Sequence, residues 1–107
     1  MDLTKDSEKL LCLLYKDYLE KRKSGLSKSS SNSFGNSHDI HEHLCPDWIF
    51  EDVDDTCREL SRVGLLHCLW ADNIAYHVAL SDSGIIYMEN RFKNGLLGVV
   101  DFLSKFL

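Results

Sequence analysis

The chain of 107 residues has no excess of positive charge, no C-x-x-C pair among its four cysteines, no long apolar run and no glycine-rich phosphate loop. Each absence excludes something. A formal charge of -5 gives no general attraction to phosphate backbones or anionic lipid, so any nucleic-acid affinity needs a local basic patch. Cys12, Cys45, Cys57 and Cys68 are scattered, which fits reduced thiols in a cytoplasmic protein better than a disulfide framework. No stretch reaches the roughly 18 apolar residues that a membrane span requires. The amino terminus, MDLTKDSEK, is charged, and no signal peptide is expected.

What is present suits one domain spanning residues 1–107, because 44% hydrophobic and 10% aromatic residues suffice for a core. Thr4 is placed to cap a helix with Asp6 and Glu8 in its first turn, where carboxylates favour the positive end of the dipole. Leu3, Leu10, Leu14 and Tyr18 fall on one face, and the helix is expected to reach about Lys23. Residues 24–37, SGLSKSSSNSFGNS, offer only Leu26 and Phe34 for burial and read as a flexible connector.

Ser37 is the expected cap of a short helix, HDIHEHL, which Pro46 interrupts. A third helix follows, with Ile49, Val53, Cys57 and Leu60 at helical spacing and Gly64 as its stop. LLHCLWADNIAYHVAL alternates as a hairpin with Asp72-Asn73 at the tip. The expected register sets Leu65, His67 and Leu69 opposite Leu80, Val78 and Tyr76, leaving Leu66, Cys68, Trp70, Ala75, His77 and Ala79 on the reverse face. Ser81 is placed to cap a last helical region in which Ile85, Phe92, Val99 and Phe106 recur seven apart, with a break expected near Asn94-Gly95.

The order helix, short helix, turn, helix, ribbon, helix, with VDDTCRELSRVGLL before the ribbon and LSDSGIIYMENR after it, resembles winged helix-turn-helix regulators of the MarR and PadR kind. It is similar above all to small winged-helix proteins of Firmicutes and their phages, of the YjcQ type, over roughly residues 38–91. The resemblance implies an α+β winged-helix fold with a two-stranded wing, here with an extra carboxy-terminal helix, in a bacterial or phage protein. It also implies that the third helix enters the DNA major groove while the ribbon tip touches the backbone.

Helical geometry places Glu51, Asp55, Arg58 and Arg62 on the outer face of that helix. A DNA-binding transcriptional regulator would use Arg58, Arg62 and Asp55 there, helped by Lys21, Arg22 and Lys23 at the end of the first helix. Yet residues 47–62 hold six carboxylates against two guanidinium groups, and the tip has no Lys or Arg. The rival expectation is a protein-interaction module that binds through the acidic third helix and Trp70.

His38, His41, His43 and Cys45 lie within eight residues and are metal-binding types. Cys45 sits at the proline turn and His43 leaves the face that His38 and His41 share, so no metal is expected. Cys68 and His77, as cross-strand neighbours, would form a nucleophile pair lacking an orienting third group, and neither enzymatic activity nor a cofactor is expected. Trp48 and Trp70 are the large apolar side chains expected near the surface. Residues 95–107 carry more apolar side chains, Leu96, Leu97, Val99, Val100, Phe102, Leu103, Phe106 and Leu107, than one short helix normally buries. They imply packing across the first helix or a homodimer contact through Val99, Leu103 and Phe106. Lys105 is the lone basic residue there, which disfavours a membrane-surface helix.

Overall fold

A computed structural model describes residues 2–106; Leu107, included in the apolar tail above, lies outside them. The fold is α+β, with six helices and a two-stranded antiparallel sheet among the described residues. The first helix, α1 (Lys5–Lys23), begins where Thr4 Oγ1 accepts a hydrogen bond from the Ser7 amide at 3.1 Å. It buries Leu10, Leu11, Leu14, Tyr15 and Tyr18, the apolar face expected of it. No helix among the described residues is long and apolar enough to cross a membrane.

The connector is not a flexible loop. After a turn at Gly25 comes a single helical turn, α2 (Lys28–Ser31), capped by Ser27. The chain then runs extended beside the second strand of the hairpin, β2 (Ile74–Leu80). The Phe34 amide donates to the Val78 carbonyl at 2.9 Å, the Val78 amide to Gly35 at 2.8 Å, and the Leu80 amide to Asn32 at 2.9 Å. Backbone groups hold this segment, which is why its polar side chains misled the sequence reading.

Asn36, not Ser37, caps α3 (Ser37–Leu44), in a reciprocal box with Asp39. Ser37 is one residue inside the helix and fully buried. The fourth helix, α4 (Phe50–Arg62), buries Val53, Cys57 and Leu60 as expected, but Ile49 is 65% exposed. It occupies the cap position, before the inward face of the helix begins. Gly64, at a φ of 81°, ends the element in the left-handed conformation that glycine adopts without strain.

The hairpin of β1 (Leu66–Ala71) and β2 turns at Asp72 and Asn73, both at positive φ, as in the tight turns whose twist suits a hairpin. Its register differs from expectation by one residue: Leu66 faces Leu80, Cys68 faces Val78 and Leu69 faces His77. Leu65 is diverted to close the end of α4, its amide donating to Leu60 and its carbonyl accepting from Ser81, so the strand starts one residue later. Beyond Leu69, Trp70 pairs with Ala75, leaving Tyr76 as the extra residue of a bulge. Leu66, Ala75, Val78 and Leu80 therefore face the core, and Leu69 and Tyr76 face solvent.

Ser81 caps α5 (Asp82–Arg91), accepting from the Gly84 amide and donating to the Gly64 carbonyl. The chain breaks at residues 92–95, with Gly95 at a φ of 62°, before α6 (Leu96–Ser104). The apolar tail packs across α1, the intramolecular alternative, with Phe92, Phe102 and Phe106 in successive edge contacts. A Cβ at Gly84 would run into the Leu65 carbonyl. Gly84→Ala is therefore expected to destabilise the fold by about 1–3 kcal/mol in urea unfolding, the scale of overpacking, whereas an exposed helical glycine would gain about 1 kcal/mol. A gain in stability would contradict the packing of α5 against the end of α4.

Candidate functional site

The polar centre of the molecule lies where α3, α4 and the hairpin meet. Asp54, on α4, is almost fully buried. Its Oδ1 accepts from the Ser37 hydroxyl at 2.9 Å and from the Ala75 amide at 2.8 Å, and its Oδ2 accepts from Arg58 at 3.3 Å. The Arg58 guanidinium also donates to the Asn73 carbonyl at 2.9 Å and stacks 4.2 Å from the centre of the Trp70 ring. One carboxylate and one guanidinium thus bridge two helices and both ends of the ribbon tip. Among the described residues no buried side-chain polar atom lacks a partner.

The remaining groove-reading candidates divide. Asp55 and Arg62 are exposed on α4, beside exposed Glu51 and Asp52. Glu59, on the same helix, accepts from Thr4 and Ser7 at the start of α1. Lys21, Arg22 and Lys23 stand at the other end of α1, about 20 Å along its axis from Ser7 at 1.5 Å per residue. Lys21 is held by Asp17 at 2.8 Å and by the Ser33 carbonyl at 3.1 Å, and Arg22 donates to Leu26. This cluster stands at the opposite end of α1 from the Ser7 contact with Glu59.

Among the candidate partner contacts, Trp70 is 41% exposed on the ribbon. Val99 is completely buried against α1, which removes it from any docking surface as folded. Leu103 and Phe106 line an apolar groove of about 310 Å³ with Leu13, Val100, Lys9 and Lys16. Trp48 is half-buried beneath the Lys9 ammonium, 5.9 Å from its ring centre.

The histidines are engaged separately. His38 stacks on Phe50 with ring centres 4.0 Å apart, His41 Nε2 lies 2.7 Å from the Trp48 carbonyl, and His43 Nδ1 lies 2.8 Å from the Asp39 carbonyl. The Cys45 thiol is buried and points to the Ile40 carbonyl. No group of three or more potential ligands is gathered for a metal among the described residues.

The Cys68–His77 pairing fails: Val78 stands opposite Cys68, and His77 opposite Leu69. Sequence reasoning missed the burial of Asp54 and the role of Ser37. The available signal was angular, since Asp54 lies only about 60° from Cys57 around the helix, at the edge of the inward arc.

Burial pushes the Cys68 thiol up to about 11, and desolvation raises Cys12, Cys45 and Cys57 as well. A thiol so raised is protonated at neutral pH and inert as a nucleophile. Alkylation of Cys68 by iodoacetamide at pH 8 is expected to run about a hundredfold slower than that of a free cysteine, and to rise about tenfold per pH unit until it levels off near pH 11. Rapid labelling at neutral pH would contradict this environment. Comparison with known protein families, curated proteins and solved structures finds no match for this chain.

Proposed function

We propose that the chain is a winged-helix protein-interaction module. The element order supports the winged-helix reading: α1, α3 and α4 form the trihelical unit, and β1 and β2 the wing. The extended segment of residues 33–35 closes against β2 at the base of the wing. The extra carboxy-terminal part is a pair of helices, α5 and α6.

The observation that carries the choice of partner is the engagement of Arg58 by Asp54, Asn73 and Trp70. The cation nearest the centre of the outer face of α4 is committed to the protein's own ribbon. Exposed Glu51, Asp52 and Asp55 are left facing any docked polyanion, and repulsion from phosphates opposes groove insertion. Protein partners carry no such uniform charge, and exposed Leu69, Trp70 and Tyr76 on the ribbon supply the aromatic and aliphatic anchors that protein contacts use.

A second reading, a small bacterial or phage DNA-binding regulator, has the exposed Arg62 in its favour. Retention on mixed-sequence duplex DNA across a salt titration separates the two. The unaltered chain is expected to show none even at low salt, and Glu51→Lys, Asp52→Lys and Asp55→Lys combined are expected to create salt-sensitive retention. Salt-dependent binding by the unaltered chain would replace the interaction-module reading with the regulator.

A further inference from the structure

The polarity of α6 does not match its position. The helix lies at the surface against α1, with Val99 completely buried and Phe102 and Leu103 half-buried. At about 100° per residue, Leu97 stands about 160° around the helix from Val99, on the opposite face, and it is 80% exposed. Val100 and Ser104 lie within about 60° of Leu97, and both are exposed. A surface helix ordinarily turns charged residues outward, whereas one that is apolar on opposite faces is covered on both. Asp101 is the single charged residue of α6.

Beside this lane runs the apolar groove of about 310 Å³ between α6 and α1. Its α1 side is the row Lys9, Leu13 and Lys16, spaced i, i+4 and i+7, and its far side is Val100, Leu103, Ser104 and Phe106. The Lys9 ammonium lies 5.5 Å from the Phe106 ring centre, so the residues that follow α6 reach the second turn of α1. One chain thus carries, side by side, a groove and the exposed lane of a helix that fits such a groove. Its charges are complementary as well. No carboxylate lines the groove, and although Lys16 pairs with Glu20 at 3.0 Å, neither Lys9 nor Asp101 makes an ion pair among the described residues.

We propose that this face joins two copies of the chain about a two-fold axis. Each copy sets Leu97 and Val100 into the groove of the other, against Leu13, Leu103 and Phe106, and its Asp101 beside the other's Lys9. The α1 and α6 helices of both copies then pack as four helices, in an isologous contact that uses each residue twice and closes at the dimer. Val99, buried within its own copy, takes no part. A second copy suits the face better than an acidic partner helix, because Glu20 already answers Lys16 and one carboxylate per copy answers Lys9. Leu69, Trp70 and Tyr76 do not line the groove, so the dimer presents two ribbons, and a partner with two matching sites is held by avidity. The inference goes beyond the interaction-module reading and stands on different residues.

The test is the molar mass of the full chain in sedimentation velocity, from low micromolar to near-millimolar concentration. The mass is expected to rise to twice the 12.3 kDa of one chain and no further. Leu97→Asp and Val100→Asp, at exposed positions, are each expected to weaken the dimer at least tenfold while the circular dichroism spectrum stays unchanged. Asp101→Lys is expected to weaken it about threefold, the scale of an exposed ion pair, and Lys9→Glu combined with Asp101→Lys to restore it. Leu69→Asp, on the ribbon, is expected to leave the mass unchanged. In a mixture of isotope-labelled and unlabelled copies, nuclear Overhauser contacts are expected between the Leu97 methyls of one copy and Leu13 of the other. A chain that stays at 12.3 kDa throughout, a mass that climbs past two copies, a dimer that survives Leu97→Asp and Val100→Asp together, or one that Leu69→Asp splits overturns the assignment.

Discussion

The arrangement depends on a single buried carboxylate. Asp54 accepts from the Ser37 hydroxyl, the Ala75 amide and the Arg58 guanidinium, and so joins α3, α4 and the first turn of β2 at one point. Hydrogen bonds to an ionised acceptor are about twice as strong as neutral ones, and this one is shielded from water. Removal of the carboxylate would strand the buried Ala75 amide, at a cost of about 1–3 kcal/mol, and leave the Ser37 hydroxyl only its longer bond to the Ala75 carbonyl at 3.3 Å. The hairpin is short and two-stranded, a structure that is marginal alone. Its orientation against the helices is set by this carboxylate, by the apolar inner face and by the backbone bonds to residues 32–35.

That constraint reaches the surface through Arg58. Its guanidinium is drawn toward Asp54 and then spans the Asn73 carbonyl and the Trp70 ring, which fixes the ribbon tip. The outer face of α4 becomes acidic in its first half because its central cation is spent on the interior. Charge is thereby sorted along the helix: exposed carboxylates in the first half of α4, and exposed Arg62 at its end. Selection of a partner by such a surface turns on where charges lie and not on the net charge, since screening confines each group's influence to about 8–10 Å.

Local signals were legible wherever one residue decides the geometry. Thr4 and Ser81 cap their helices, Gly64 and Gly95 end and divide elements, and Asp72-Asn73 turns the hairpin, each through a short-range bond or a dihedral that the residue type itself favours. Features set by distant backbone were not. The segment at residues 32–35 is ordered by β2, some 45 residues away, and its serines and asparagines give no side-chain hint of this. The hairpin register shifted by one because Leu65 is claimed by α4 and Ser81, and alternation cannot tell a strand's first residue from a helix's last neighbour. Of the site, the Asp54–Arg58 pair was readable as an i, i+4 contact; its burial, and the loss of Val99 to the interior, follow from packing alone.

The most direct measurement is native-state hydrogen exchange at the Ala75 amide, compared between the unaltered chain and Asp54→Ala, with urea unfolding of both. If the carboxylate anchors the hairpin, Ala75 exchanges only through global opening in the unaltered chain, and the substitution removes that protection while lowering stability by about 2–4 kcal/mol. Protection at Ala75 that survives the substitution, with stability changed by less than about 0.5 kcal/mol, the range of an ordinary surface substitution, would contradict the account.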